Sequence, residues 1–156
     1  CETSMHEHFA SLLSTLAPAL GLPEISVRED DPSCLLAVDD FEISLRYFPA
    51  SDLVMLFTVA APLPARGRKE LFAALLDANT FFHGTQGFTL AAREDTGVTL
   101  QGVMPLRMLD GANIADWVQN FVNMAEHWQG ECLKYDTGAE TAESAPPPFQ
   151  QGMLRV

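Results

Sequence analysis

Apolar residues along the chain change period several times, and each change marks an element. Phe9, Leu12, Leu13, Leu16 and Leu20 recur at the spacing of one helical face, which predicts a first helix over 6–20. Pro18 should kink or end it, and Gly21 followed by Pro23 is a stop signal. An acidic connection follows, with Ile25 and Val27 as its apolar pair. The period then falls to two. Residues 34–38 form a short apolar run, and Asp39 and Asp40 suit a tight turn. Phe41, Ile43, Leu45 and Tyr47 alternate with Glu42, Ser44 and Arg46, the pattern of a half-buried strand. After a turn at 49–52, the strand at 53–59 is apolar on both faces. Leu53, Met55, Phe57 and Val59 share one face, and Val54 and Leu56 share the other. Such a strand has a second surface to cover. The three strands are expected to form an antiparallel meander.

Pro62 and Pro64 close this sheet, and a second helix is expected over 68–82. Leu71, Phe72, Leu75, Leu76 and Asn79 give its stripe, while Ala73, Ala74 and Ala78 leave little polar surface elsewhere. A helix apolar most of the way round is buried on more than one side, and in a small chain the second cover can be another subunit. Gly84 and Gly87 break it, and alternation resumes at 88–92. The run Glu94, Asp95, Thr96, Gly97 reads as a hairpin turn leading to a strand with Val98, Leu100, Gly102 and Met104 on one face. The strongest helical stripe comes last: Ile114, Trp117, Val118, Phe121, Val122, Ala125 and Trp128, starting from caps between Asp110 and Asn113. The fold class is therefore α+β, in the order α-βββ-α-ββ-α, a twisted antiparallel sheet packed by helices. One domain is expected over 5–134. The segment 135–156, with Pro146, Pro147 and Pro148, reads as a Pro-rich tail with polyproline II character.

The 156 residues suit one domain, burying about two thirds of the unfolded surface. Nine Lys and Arg against 21 Asp and Glu give a formal charge of −12, which argues against nucleic acid and against docking on anionic membranes. With 47% hydrophobic and 19% charged residues, the chain reads as a soluble, acidic protein with a single core. The apolar runs fall short of the roughly 20 residues that span a bilayer. The start lacks the basic and apolar regions of a secretory signal, and Met5 is a candidate natural initiator. Cys1, Cys34 and Cys132 have no metal-like or disulfide-framework spacing, so a reduced setting is the simplest account.

Catalytic patterns are missing from the sequence. His6 and His8 are two apart, poor spacing for metal ligands on a helix, and His83 and His127 stand alone. There is no phosphate loop, HExxH or nucleophile elbow. Asp39, Asp40 and Glu42 read as solvated turn residues, and Asp30 and Asp31 lack calcium-loop spacing. Arg66, Arg68 and Lys69 form a basic cluster before the second helix. No metal or cofactor is implied. What stands out is apolar surface beyond one core, on the third strand and second helix, with a possible share from the first helix.

Four segments carry a resemblance: FASLLSTL at 9–16, CLLAVDDFEISL at 34–45, LLDAN at 75–79, and MPL at 104–106 leading to FVNMAEHW at 121–128. In this order they resemble the class I type III secretion chaperones, the Tir chaperone-like family of bacterial cytosolic proteins. LLDAN is similar to that family's Leu-x-Ala-Asn signature. The resemblance implies a non-catalytic homodimer that keeps the amino-terminal part of a secreted effector extended and competent for export. It implies client contacts on the first helix and sheet, for which Phe9, Leu12, Leu13, Leu16, Val54 and Leu56 are the candidates. It also implies a dimer interface on the second helix, for which Leu71, Leu75, Ala78 and Phe82 are the candidates. Alternatives are core packing for the helical residues, a regulatory module on the same fold, or a small enzyme or acyl-binding protein with a cavity under the last helix. Seven acidic residues and one Arg between Glu24 and Glu42 would set an acidic rim beside the client strands, favouring basic client segments.

Overall fold

A computed structural model describes residues 2–22, 25 and 32–135, the side chains of 2–5 excepted. The expected tail and most of the acidic connection lie outside the described residues. Helix α1 (Glu2–Ala19) is followed by strands β1 (Ser33–Val38), β2 (Phe41–Phe48) and β3 (Leu53–Ala61). Helix α2 (Arg68–Asn79) runs into a short 3-10 turn (Thr80–Phe82). Strands β4 (Thr89–Arg93) and β5 (Gly97–Pro105) then lead through a 3-10 turn (Leu106–Met108) to α3 (Ile114–Leu133).

The five strands form one antiparallel sheet in the order β1-β2-β3-β5-β4. β5 lies between β3 and β4 because α2 carries the chain to the far edge before the last hairpin returns. Register follows the turns. The turn after Phe48 pairs it with Leu53 and hence Tyr47 with Val54 and Leu45 with Leu56. Residues directly opposite share a face, so the apolar face of β2 puts Val54 and Leu56 on the inner side. Gly97 at the β4–β5 turn has φ 115, and a Cβ there would lie 2.5 Å from the Ala61 carbonyl oxygen. Only glycine fits the turn against β3.

One core fills the inner side of the sheet. Phe9 of α1 stacks on Tyr47 of β2 with centroids 5.6 Å apart, and Leu12, Leu13 and Leu16 continue the same buried stripe. Each such side chain contributes about 1.5–3 kcal/mol by leaving water, and that burial, more than local propensity, holds α1 in place. Pro18 sits inside the last turn of α1 and does not shorten it. Leu20 still donates its N–H to the Leu16 carbonyl at 3.0 Å and Leu22 to Ala17 at 2.8 Å. From α3, Ile114, Val118, Phe121, Val122 and Ala125 are fully buried, with Phe121 edge-on to Phe88 at 5.2 Å. Asp110 organises the start of α3 by accepting the N–H groups of Ala112 and Asn113 at 2.8 Å each.

The outer edge of β4 is closed by a side chain. Asn79, the last residue of α2, donates Nδ2–H to the Leu90 carbonyl and accepts the Leu90 N–H at its Oδ1, both at 2.9 Å. Among the described residues β4 has no second neighbouring strand, and Asn79 takes that place at Leu90, which gives the terminal Asn of LLDAN a physical task. Asn79→Ala should destabilise the chain by about 2–3 kcal/mol, since two backbone groups lose their partner. Asn79→Asp should cost at least as much, because a carboxylate keeps the acceptor, loses the donor and faces a carbonyl. Urea midpoints of the two variants check this. The basic cluster is structural in part as well. Arg68 donates to the Pro64 carbonyl at 2.8 Å and to both Glu94 carboxylate oxygens at 3.1 and 3.2 Å, tying the start of α2 to the last hairpin.

Candidate protein-binding surfaces

The outer face of the sheet is apolar and open. Parity along β3 turns Leu53, Met55, Phe57 and Val59 outward, and Val103 of β5 and Leu35 of β1 join them. Leu35 is 69% exposed and Val103 51%. Across the sheet, Leu35 is opposite Ser44, which is opposite Phe57. The small serine between two large side chains leaves a hollow of about 410 Å³ lined by Leu35, Ser44, Phe57, Val59, Asp40 and Glu42. Its floor is apolar and one rim is acidic. Beside it, β1 ends the sheet and, among the described residues, is hydrogen-bonded to a strand on one side alone.

This arrangement moves the sequence-predicted client residues. Phe9, Leu12, Leu13, Leu16, Val54 and Leu56 are all at most 4% exposed, enclosed by the chain's own core. For the strand pair the reason is register: Val54 and Leu56 are opposite Tyr47 and Leu45, whose face is covered by α1 and α3. The surplus apolar surface of β3 is on the other side. For α1, the single apolar stripe is used up inside the chain, against Tyr47 of the sheet and against α3. Leu35 and Val103 join the outward set of β3 on the exposed surface, although no local alternation singles them out.

The second surface is the end of α2. The stripe expected to run together divides in two. Leu71, Leu75 and Ala78 are buried within the chain, whereas Leu76 is 69% exposed. The helix does not continue to Phe82. It gives way at Thr80 to a tight turn in which Phe81 and Phe82 adopt left-handed backbone with φ 52 and 57. Bulky residues occupy that region at a cost of about 1–2 kcal/mol each. The cause is tertiary. Gly84 folds back so that its N–H meets the Ala78 carbonyl at 3.0 Å, where an added Cβ would lie 2.6 Å from the Ala78 side chain. The Trp128 indole of α3 donates to the Gly84 carbonyl at 3.0 Å and fixes the loop. The outcome is an exposed apolar knob of Leu76, Phe81 and half-exposed Phe82.

The third feature is a cleft between α3 and the loop at 83–88. One half, about 380 Å³, is lined by His83, Gln86, Asn120, Asn123, Met124 and His127. The other, about 220 Å³, shares Gln86 and Asn120 and adds Phe88, Val103, Met104 and Trp117. An enzyme or acyl-binding protein with a cavity under α3 would need an enclosed apolar chamber. These hollows are open, and amides and imidazoles line much of them.

Ionisable groups lend none of these surfaces a nucleophile. Burial pushes the Cys34 thiol up to about 12 and, with help from Glu131, that of Cys132 to about 11. Both stay protonated at neutral pH, and thiols are poor nucleophiles in that form. Among the described residues there is no group of three or more His, Cys, Asp or Glu placed to hold a metal ion. His6 and His8 are exposed, and His6 meets the edge of Tyr47. Also among the described residues, no helix is long and apolar enough to cross a membrane.

Glu126 of α3 reaches the β1–β2 turn. A hydrogen bond with Asp39 raises its pKa above the ordinary glutamate value, assisted by lost hydration and by the charges of Asp39 and Asp40. A raised folded-state pKa means that the folded chain holds this proton more tightly than the unfolded chain. The stability it contributes is present at low pH and is lost as pH rises through the raised value. Glu126→Gln should therefore be more stable than the parent at neutral pH, with the difference fading toward the normal glutamate range. Urea midpoints measured across mildly acid pH check the sign.

The geometry matches that of known proteins. The family model described as Tir chaperone protein (CesT) family matches residues 11–129. Among solved structures, the fold is shared with a chain of the ExsC–ExsE complex at 22% identity and TM-score 0.66, covering 77% of this chain and 90% of that one. It is shared with the HopA1–SchA chaperone–effector complex at 15% identity and TM-score 0.63, covering 80% and 95%. The type III secretion chaperone SycH of Yersinia pestis, solved with a fragment of YscM2, aligns at 22% identity and TM-score 0.59, covering 75% and 96%. No individually curated protein matches the sequence. The family match spans α1 to α3 without a break and takes in Asn79, the open sheet face and the α2 knob, and on that ground the chain belongs to the Tir chaperone protein (CesT) family.

Proposed function

We propose that the chain is a bacterial cytoplasmic type III secretion chaperone that binds the amino-terminal region of a secreted effector in extended form and keeps it competent for export. The observation that carries this reading is the open sheet face, where Leu35, Met55, Val59 and Val103 are exposed beside an edge strand. An extended segment can add to β1 through backbone hydrogen bonds, which ask little of its sequence, while the Leu35–Phe57 hollow takes a side chain and supplies choice. Asp40 and Glu42 on the rim favour a segment carrying Lys or Arg. Family membership and the likeness to chaperone–effector complexes support the same reading, and a family of chaperones binds its client without transforming it.

The chain acts as a homodimer in this reading, with the α2 knob as the contact. Leu76, Phe81 and Phe82 meet their own symmetry mates across a two-fold axis, and Leu71, Leu75 and Ala78 support the helix from inside. The test is co-expression with the amino-terminal part of a secreted protein encoded beside this gene. A stable complex of two chains with one extended client, weakened by salt, is the expected result. A monomer, or a dimer that binds no such segment, would overturn the reading.

A further inference from the structure

Residues 145–154, Ala-Pro-Pro-Pro-Phe-Gln-Gln-Gly-Met-Leu, carry no charge in a chain with 30 charged Lys, Arg, Asp and Glu residues (9 + 21). A Pro-rich run favours polyproline II, with its carbonyls unpaired and no N–H on its prolines. Surfaces that hold such segments offer aromatic walls for the rings and side-chain N–H donors for the carbonyls. The cleft beside α3 offers both. Phe88, Trp117 and Met104 wall one half, and Gln86, Asn120 and Asn123 bring amide donors through the middle to the other. The Asn123 Oδ1 already accepts from Gln119 at 3.0 Å, which leaves the NH2 as its main free capacity.

We propose that residues 145–154 of this chain dock in the cleft between α3 and the 83–88 loop. Charge separates this cleft from the sheet hollow. Asp40 and Glu42 edge the hollow and call for a cationic segment, whereas neither half of the cleft has a carboxylate, Lys or Arg in its lining. An uncharged segment meets a cleft whose lining holds no carboxylate, Lys or Arg. Reach is sufficient. Ten residues, 136–145, separate Tyr135 at the end of α3 from Pro146. Extended, they cover up to about 35 Å. The cleft residues on α3, from His127 back to Trp117, lie roughly 12–27 Å along the helix from Tyr135. The wall is also set in advance. The Trp128–Gly84 bond pins the loop, Gln86 is held at φ 54, and Thr85 between them has a buried hydroxyl with no partner among the described residues. A cleft filled by its own chain shields Trp117, which is otherwise partly exposed.

The test uses the 15N-labelled full chain and a synthetic peptide of residues 143–154. Relative to the parent, the Pro147→Ser, Phe149→Ser double variant should shift the backbone signals of Gly84, Gly87 and Asn120 and the Trp117 indole signal. Adding the peptide to that variant should move them back. Asn120→Asp, placed in the variant, should weaken the peptide by about tenfold, because a donor becomes a carboxylate facing carbonyls. Parent signals should stay put on roughly hundredfold dilution, as an intramolecular contact does. Coincident spectra of parent and variant, with no response to the peptide, would overturn the proposal. Parent signals that drift to the variant positions on dilution would overturn it too, since another copy would then fill the cleft.

Discussion

A chain carrying Leu75→Asp is expected to be unfolded at 25 °C, whereas Leu76→Asp, one residue along, is expected to fold and to lose its partner copy. Leu75 is 3% exposed and Leu76 69%. At Leu75 the substitution forfeits about 1.5–3 kcal/mol of apolar burial. It also buries a carboxyl group that must take up a proton to remain there, which costs about 4 kcal/mol at neutral pH. The sum, about 6–7 kcal/mol, matches the whole stability of a marginally stable small domain, for which the range is about 5–15 kcal/mol. At Leu76 the aspartate is solvated in the monomer and is punished only when two copies of the knob meet. Circular dichroism and sedimentation of the two variants separate the outcomes. A folded Leu75→Asp monomer would contradict the packing described, and a Leu76→Asp dimer would remove the knob from the interface.

The second large effect is on the client. Leu35→Ser together with Phe57→Ser should weaken client binding by about 100- to 1,000-fold, the effect of removing two central anchors worth roughly 1.5–2 kcal/mol each. Stability should change little, because both side chains leave the sheet on its open side. Leu12→Ser is the control with the opposite profile: it damages the core, where Leu12 is 4% exposed, and lowers the unfolding midpoint. Titration calorimetry with the co-expressed client segment, beside urea unfolding of each variant, reads both quantities. Asp40→Asn with Glu42→Gln should flatten the salt dependence of binding while leaving the apolar contribution in place.

The contrast between these variants also shows where sequence patterning stops. Periodicity placed all three helices and all five strands, because alternation and the helical stripe report directly on burial. It showed that β3 is apolar on both faces. Parity alone does not say which face is covered, and the structure turns Val54 and Leu56, candidates for client contact, toward the core. The missing signal was present in the turn at 49–52: four residues there pair Tyr47 with Val54, and Tyr47 belongs to the clearly amphipathic strand β2. The division of α2 was less accessible. Leu71, Leu75, Leu76 and Ala78 all fit one broad stripe, and only the packing against β4 decides that Leu76 is outside. The break at Thr80 depends on Trp128 reaching Gly84 from 44 residues away, a contact that no local pattern announces.

In the proposed complex an extended client lies on the open sheet face and extends the sheet at β1. Hydrogen–deuterium exchange of the chain, alone and with the co-purified client, tests it most directly. Slower exchange is expected in the client complex along β1, with added protection in β2 and β3 and little change in α1. Protection concentrated on α1 and α3, with β1 exchanging as in the free chain, would contradict it.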